Sequence, residues 1–407
     1  MDKIAIIHFA YYPNIGGVEK LIQDHTHILA SSGYRVKVLT GDGSEDHKGV
    51  EVVQIEELKS VLNFNPDLQR KILDQGTIDD DFYKLSDLIY SKIESNLADC
   101  RTVIVHNMMT VYRNLPFTFA FKKYVDLHPE KKFIVWVHDH MYIKNDKVIR
   151  EEKKTSDFEE KLITTPMPNV EYVVISETFK KSLLEVLPID KKRVRVIPNG
   201  INIKSFLEID DSIWKIVNDN RLLEKFPLIL APVNILERKN LEYALEIVAD
   251  LKITYPGIGM VISGQPSKHR NTEDYLSKIK ALIEKLGIKD NINFVSDMIE
   301  RSLLNSEIRD LYNLADMVFY FSASENFGIP ILEAGATRTP IFTSDIDIFK
   351  EIGKSNINMV DPKIPASSTA SQVTKFMENN QGVKLFRDVK MNYDLEKIIT
   401  NHLIPLL

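Results

Sequence analysis

Two carboxylates, Glu325 and Glu333, flank the run Asn326-Phe327-Gly328-Ile329-Pro330. Carboxylates repel phosphate but accept hydrogen bonds from hydroxyls. Pro330 suits the first turn of a helix, where its missing N–H costs nothing. Loop amides and a positive helix end therefore meet beside the two acids, and that combination receives an anion. A ligand with both phosphate and hydroxyls, such as a nucleotide sugar, matches the set. Arg238 and Lys239 sit side by side in an earlier loop. An Arg fork with a compact Lys charge suits a diphosphate. Plain alternatives exist: an early helix Glu complements the macrodipole, and adjacent cations can be a solvated loop pair.

A second chemistry is written at His138-Asp139-His140. The two imidazoles alternate onto one face of an extended chain, and His106-Asn107 ends a neighbouring strand. Imidazoles with Asp139 could ligate zinc or iron. A metal-dependent hydrolase centred on His106, His138, Asp139 and His140 is thus a competing reading. Asp345-Ile346-Asp347 reads as ordinary loop and cap acids. Gly16-Gly17, after the first strand, lets backbone approach a ligand at the next helix's N-terminus.

Positioning these residues falls to alternating strands and helices. Apolar strand-like runs near 4–9, 36–40, 50–55, 102–106, 133–137, 172–175 and 195–197 are separated by helical periods. Gly33 is the expected C-cap of the first helix. The grammar repeats with strands near 228–233, 260–263, 292–295, 317–321 and 340–343. Such alternation means parallel sheets covered on both faces. Pro198-Asn199-Gly200 is a turn signal closing the first sheet. Residues 204–225 read as polar and irregular, and the tail from 384 reads as helical.

With 407 residues, two or three domains fit. Hydrophobic residues at 44% and charged residues at 27% describe an ordinary globular protein. A net charge of −6 argues against a dedicated nucleic-acid binder. The single cysteine, Cys100, excludes an internal disulfide and fits a reducing compartment. No apolar run approaches the roughly 18 residues of a membrane span. A strand-like run beginning at Lys3 leaves no signal peptide, so a cytoplasmic protein is expected.

Taken in chain order, Gly16-Gly17-Val18-Glu19, the strand-end His138, Pro198-Asn199-Gly200, Arg238-Lys239, Ser263-Gly264 and Glu325-x7-Glu333 resemble the retaining GT-B-fold glycosyltransferases of group 1 / family 4 (GT4-like). That resemblance implies an α/β GT-B fold: two Rossmann-like, doubly wound parallel-sheet domains facing a central cleft. Residues 1–203 would form the acceptor-binding domain and 204–383 the nucleotide-sugar-binding domain. Residues 384–407 would be a helix crossing back to the first. The implied activity moves a hexosyl unit from a nucleotide-diphosphate sugar to a hydroxyl acceptor, by a metal-independent front-face mechanism that closure would shield from water. The donor is a co-substrate, and no other cofactor is implied.

Under the resemblance His138, Glu325, Lys239 and Arg238 are catalytic, with Glu325 at the donor's sugar hydroxyls. Glu333 binds the ribose, while Asn326, Phe327, Gly328, Gly264 and Asp297 line the donor pocket. Gly16 and Gly17 form a phosphate or acceptor loop. The family often separates the two cations by several residues, and its G-x-G turn has Ser263 in place of the first glycine here. Acceptors in keeping with the resemblance are a sugar, a small polyol acid, a glycan or a lipid-linked glycan. Tyr11, Tyr12, His106, Asn107, Met108, Tyr142 and Lys144 are expected to face the acceptor. Residues 111–123 carry basic and aromatic residues suited to peripheral membrane contact or, as a plainer reading, to a core-packed helix. A non-catalytic sugar-nucleotide-binding subunit is the remaining alternative.

Overall fold

A computed structural model describes residues 3–14, 16–44, 47–149, 156–266 and 271–407; Ile15 of the glycine loop lies outside them. The chain forms two compact units, Met1–Gly200 with Leu395–Leu407, and Ile201–Asp394.

The first unit contains strands β1 (Lys3–His8), β2 (Arg35–Thr40), β3 (Val50–Gln54), β4 (Thr102–His106), β5 (Lys132–Val137), β6 (Ile143–Lys144), β7 (Lys147–Val148), β8 (Val170–Val174) and β9 (Val194–Val196). Seven of them make a sheet in the order β3-β2-β1-β4-β5-β8-β9, every neighbouring pair parallel. Strands β6 and β7 form a small antiparallel hairpin. Side-chain alternation in β1 explains the layering. Ile4 and Ile6 enter one core with Leu21, Ile22 and Leu29 of helix Gly17–Ser31, and Ala5 and Ile7 enter the opposite core with Ile89, Phe117 and Phe121. Leu395, Ile398, Ile399, Leu403 and Leu406 complete the first of those cores. Helix Gly17–Ser31 ends as its sequence suggests: Gly33 has φ +91°, and Tyr34 N–H returns to Leu29 O at 3.1 Å.

The second unit contains β10 (Leu228–Ala231), β11 (Gly259–Ile262), β12 (Ile292–Phe294), β13 (Met317–Tyr320), β14 (Ile341–Ser344) and β15 (Asn358–Val360). Its parallel sheet runs β12-β11-β10-β13-β14-β15. In both sheets the strand order reverses once, between β1 and β4 and between β10 and β13. Those are the switch points where doubly wound sheets take ligands, at the strands' carboxyl ends. Both sheets are thus doubly wound and Rossmann-like.

Several expectations need correction. Residues 204–225 are not irregular. They hold helices Ile203–Phe206 and Asp211–Asp219, with Ile213, Trp214, Ile216 and Val217 buried. The tail is not one helix: Gln381–Asn392 packs in the second unit, and a separate segment from Leu395 packs in the first. Strand β15 and the β6–β7 hairpin were not evident in the sequence. Helix Leu115–Leu127 buries Leu115, Phe117, Phe121 and Tyr124, so the core-packed reading of that stretch stands. No helix among the described residues is long and apolar enough to cross a membrane.

Candidate active site

The second switch point collects the cations and the first acid of the motif. Strand β10 leads into the loop carrying Arg238 and Lys239, and β13 leads into the loop carrying Glu325. The loops are tied by Ala323 N–H to Arg238 O at 2.8 Å and by Arg238 Nη1 to Ser324 O at 3.2 Å. Lys239 Nζ hydrogen-bonds Glu325 Oε1, and Arg238 Nη1 reaches the same oxygen at 2.9 Å. The ammonium also stands 5.3 Å from the centre of the Tyr320 ring. Lys239 and Glu325 side chains are each 11% exposed, whereas Arg238 is 48% exposed. Burial works against ionising Glu325, but Lys239, Ser322 and Arg238 together hold its carboxyl below the usual range. Burial first, then Glu325, raises the Tyr320 phenol above its ordinary value, so Tyr320 remains a donor.

Helix Ile329–Thr337 starts at this loop, with Pro330 in its first turn. Gly328 precedes it at φ +137°, a conformation that favours glycine, and an added Cβ would lie 3.1 Å from the Phe349 ring. Glu333 receives the Tyr312 hydroxyl at 2.8 Å. Tyr312 is fully buried, and burial together with Glu333 keeps its phenol protonated well above the usual range. Asn326 and Phe327 are exposed at the loop tip. Gly264 is bare for a packing reason: a Cβ there would sit 2.1 Å from Val233 O, where the β10 and β11 exits cross. Asp297 stands apart. It lines a separate cavity of about 550 Å³ with Lys280 and Phe294, 3.9 Å from Lys280 Nζ. No contact joins it to Lys239 or Glu325 among the described residues.

At the first unit's switch point His138 is nearly buried, with Nε2 3.1 Å from His106 Nδ1. His106 stacks on Trp136 at 5.1 Å, and His25 lies 4.9 Å from the same indole. Burial, then the charge of neighbouring His8, pushes His138 down to about 4. Burial pushes His25 to about 3. Near neutral pH both are therefore uncharged imidazoles. The metal reading fails on geometry. His106 and His138 spend a nitrogen on each other, Asp139 Oδ2 accepts from Asn107 Nδ2 at 2.9 Å, and His140 Nδ1 accepts from Tyr142 N–H at 3.1 Å. No group of three such side chains could hold a metal among the described residues.

The sequence profile of the family Glycosyl transferases group 1 matches residues 212–392, the stretch that carries this cation–carboxylate cluster. Residues 212–392 are thus similar to the group 1 glycosyltransferases. Mannosylglucosylglycerate synthase of Thermotoga maritima is 22% identical to this chain over 373 residues, covering 86% of it and 82% of that protein. O-antigen chain mannosyltransferase RfbU of Salmonella typhimurium is 23% identical, covering 56% of each. D-inositol 3-phosphate glycosyltransferase of Acidothermus cellulolyticus is 26% identical over 42% of this chain and 37% of its own. The chain thus spans most of the first relative and roughly half or less of the other two.

Part of the expected acceptor lining is wrong. Tyr11, His106, Met108 and Tyr142 are fully buried, because Tyr11 bonds Thr26 at 2.7 Å and the others pack in the cores. Tyr12 and Lys144 are exposed, and Asn107 is half-buried. Sequence reasoning missed Tyr312 and Tyr320, which support the two acids, and it missed His8 as a partner of Glu19. A Tyr in a strand reads as core, and only the fold reveals what its hydroxyl meets.

Proposed function

We propose that the protein transfers a hexosyl unit from a nucleotide-diphosphate sugar to a hydroxyl acceptor, with retention at the anomeric carbon. The observation that carries this reading is Lys239 and Arg238 converging on Glu325 at the switch point of the second sheet. Two cations there suit the diphosphate and the charge that grows on it as the glycosidic bond breaks. Glu325, kept ionised by them, accepts hydrogen bonds from the sugar's hydroxyls, and Glu333 accepts from the ribose. Amides at Gly328 and the start of helix Ile329–Thr337 add to phosphate stabilisation. Neutral His138, at the first unit's own switch point, offers a substrate hydroxyl a hydrogen bond without competing charge.

In the step itself the bond from the anomeric carbon to the phosphate oxygen breaks, and its electron pair leaves on the phosphate. The acceptor oxygen bonds on the same face, and its proton passes to the departing phosphate. The cations supply the electrophilic assistance that a metal gives elsewhere. Lys239→Ala should lower transfer about 100- to 1000-fold, the effect of losing one preorganised charge partner. Far-UV dichroism should stay native. Turnover near the parent level would refute the assignment, and an inverted product in proton NMR would refute retention.

An acceptor carrying an acid is favoured. The names of two relatives, a mannosylglucosylglycerate synthase and a D-inositol 3-phosphate glycosyltransferase, pair a polyol with a carboxylate or a phosphate. Here the exposed Arg113 places its guanidinium 5.8 Å over the Phe9 ring, just past the end of β1. Arg113→Ala should raise KM for polyol acids and leave KM for uncharged polyols unchanged. Equal effects on both classes would remove the acid from the reading.

A further inference from the structure

The two glycines of the first loop differ in their surroundings. A Cβ at Gly17 would meet nothing within 4 Å. At Gly16 it would lie 2.0 Å from Glu19 Oε2 and 2.9 Å from Glu19 Cδ. Gly16 has φ −155°, which any residue adopts, so conformation does not require glycine there. What a Cβ would meet is the mobile end of one side chain: the Glu19 carboxylate folds back across Gly16 from the first turn of helix Gly17–Ser31.

The folded-back carboxylate faces His8, with Oε1 3.4 Å from Nε2. His8 ends β1, where the sheet opens. Pairing between β1 and β4 stops at Ile7 and Val105. One step on, His8 Nδ1 lies 2.8 Å from His106 O. A carbonyl only accepts, so Nδ1 carries the proton, and a side chain continues the ladder where the strands diverge. The His106 ring then meets His138. A continuous path thus runs from Glu19 through His8 and the His106 residue to the His138 ring. Because His8 is buried at 3% exposure, it acts through this path rather than on a ligand.

We propose that Glu19 is a positioning residue of the transfer reaction, clamping His8 and through it the His106–His138 pair, and that Gly16 is bare to admit its carboxylate. This rests on the role given to His138 above. Two measurements test it. In substrate-free protein, nitrogen-15 NMR of the imidazoles should show Glu19→Ala altering the His8 and His138 ring signals. Glu19→Gln, which keeps the shape and one acceptor oxygen, should alter them less. In a double-mutant cycle on transfer, Glu19→Ala should lower kcat about 10- to 100-fold with donor KM unchanged, the cost of a misplaced reacting group. Gly16→Ala should do equal damage, and Gly16→Ala with Glu19→Ala should be no worse than Glu19→Ala alone.

Independent, multiplying losses in the cycle would mean Gly16 serves a ligand directly, and would overturn the proposal. So would His8 and His138 signals indifferent to Glu19→Ala. Altered ring signals in a protein that transfers no sugar would instead count against the proposed function and leave the clamp standing.

Discussion

At the scale of single residues, the site is a set of acids whose partners are already in place. Tyr312 shows what such a partner contributes. Its hydroxyl donates to one oxygen of Glu333, and the proposed ribose contact falls to the other. Tyr312→Phe keeps the packed ring and deletes that bond. Hydrogen bonds to charged groups contribute about 1.5–3 kcal/mol, so nucleoside diphosphates should bind roughly 10- to 100-fold more weakly. Calorimetric titration checks this, and an unchanged Kd would mean that Glu333 does not grip the nucleotide. The proposed roles of Glu325, Glu333 and Lys239 could be framed from the sequence because motif spacing within one loop or turn is local information. Those of Tyr312, Tyr320 and the His8–Glu19 pair could not, since each partnership joins different elements. Asp297 has a different setting: it lies 3.9 Å from Lys280 Nζ and lines another cavity.

At the scale of elements, two buried acids fix helices to the second sheet. Asp316, just before β13, meets Lys390 of helix Gln381–Asn392 at 2.8 Å and accepts from Leu228 N–H at 2.7 Å. Both side chains of the pair are essentially inaccessible. Lys390→Met would strand a buried carboxylate and should cost about 3–5 kcal/mol in denaturant unfolding. Pairing it with Asp316→Asn should recover most of that loss, and additive losses would mean the two groups are not coupled.

Glu307 starts helix Asn305–Leu314 and is held by Arg301, Ser212 O–H and Leu304 N–H. The Arg301 bonds outweigh burial and lower Glu307 from 4.5 to about 2. A carboxyl depressed in the fold stabilises above its unfolded value and loses that contribution as pH falls. The second unit should therefore weaken between about pH 4.5 and 2. Glu307→Gln should flatten that part of the stability curve; an unaltered acid slope would assign it to other groups. The alternation of strands and helices was readable because a parallel sheet buries continuous apolar runs. Residues 204–225 were not, since a helix as short as Asp211–Asp219 shows too few turns for its apolar face to stand out among polar neighbours.

At the scale of the molecule, each unit has its own core and its own switch point, so ligand effects should be separable. A nucleoside diphosphate at about 100 times its Kd stabilises the form that binds it by roughly 2.7 kcal/mol. For a unit of this size that corresponds to about 5–10 °C in Tm. The rise should belong to the transition of Ile201–Asp394 and vanish in Lys239→Ala. A shift confined to the other transition would place the nucleotide in the wrong half.

Chain order adds a constraint of timing. The core that holds Ile4 and Trp136 also holds Leu395, Ile398 and Leu403. During synthesis a ribosome therefore delivers every residue of the intervening unit before the first unit can finish its own interior. Ile201–Asp394 can close as soon as it emerges, while the amino-terminal sheet waits with one apolar face uncovered. Nascent chains stalled before residue 395 should leave that face open to chaperones, and stalls beyond residue 407 should not.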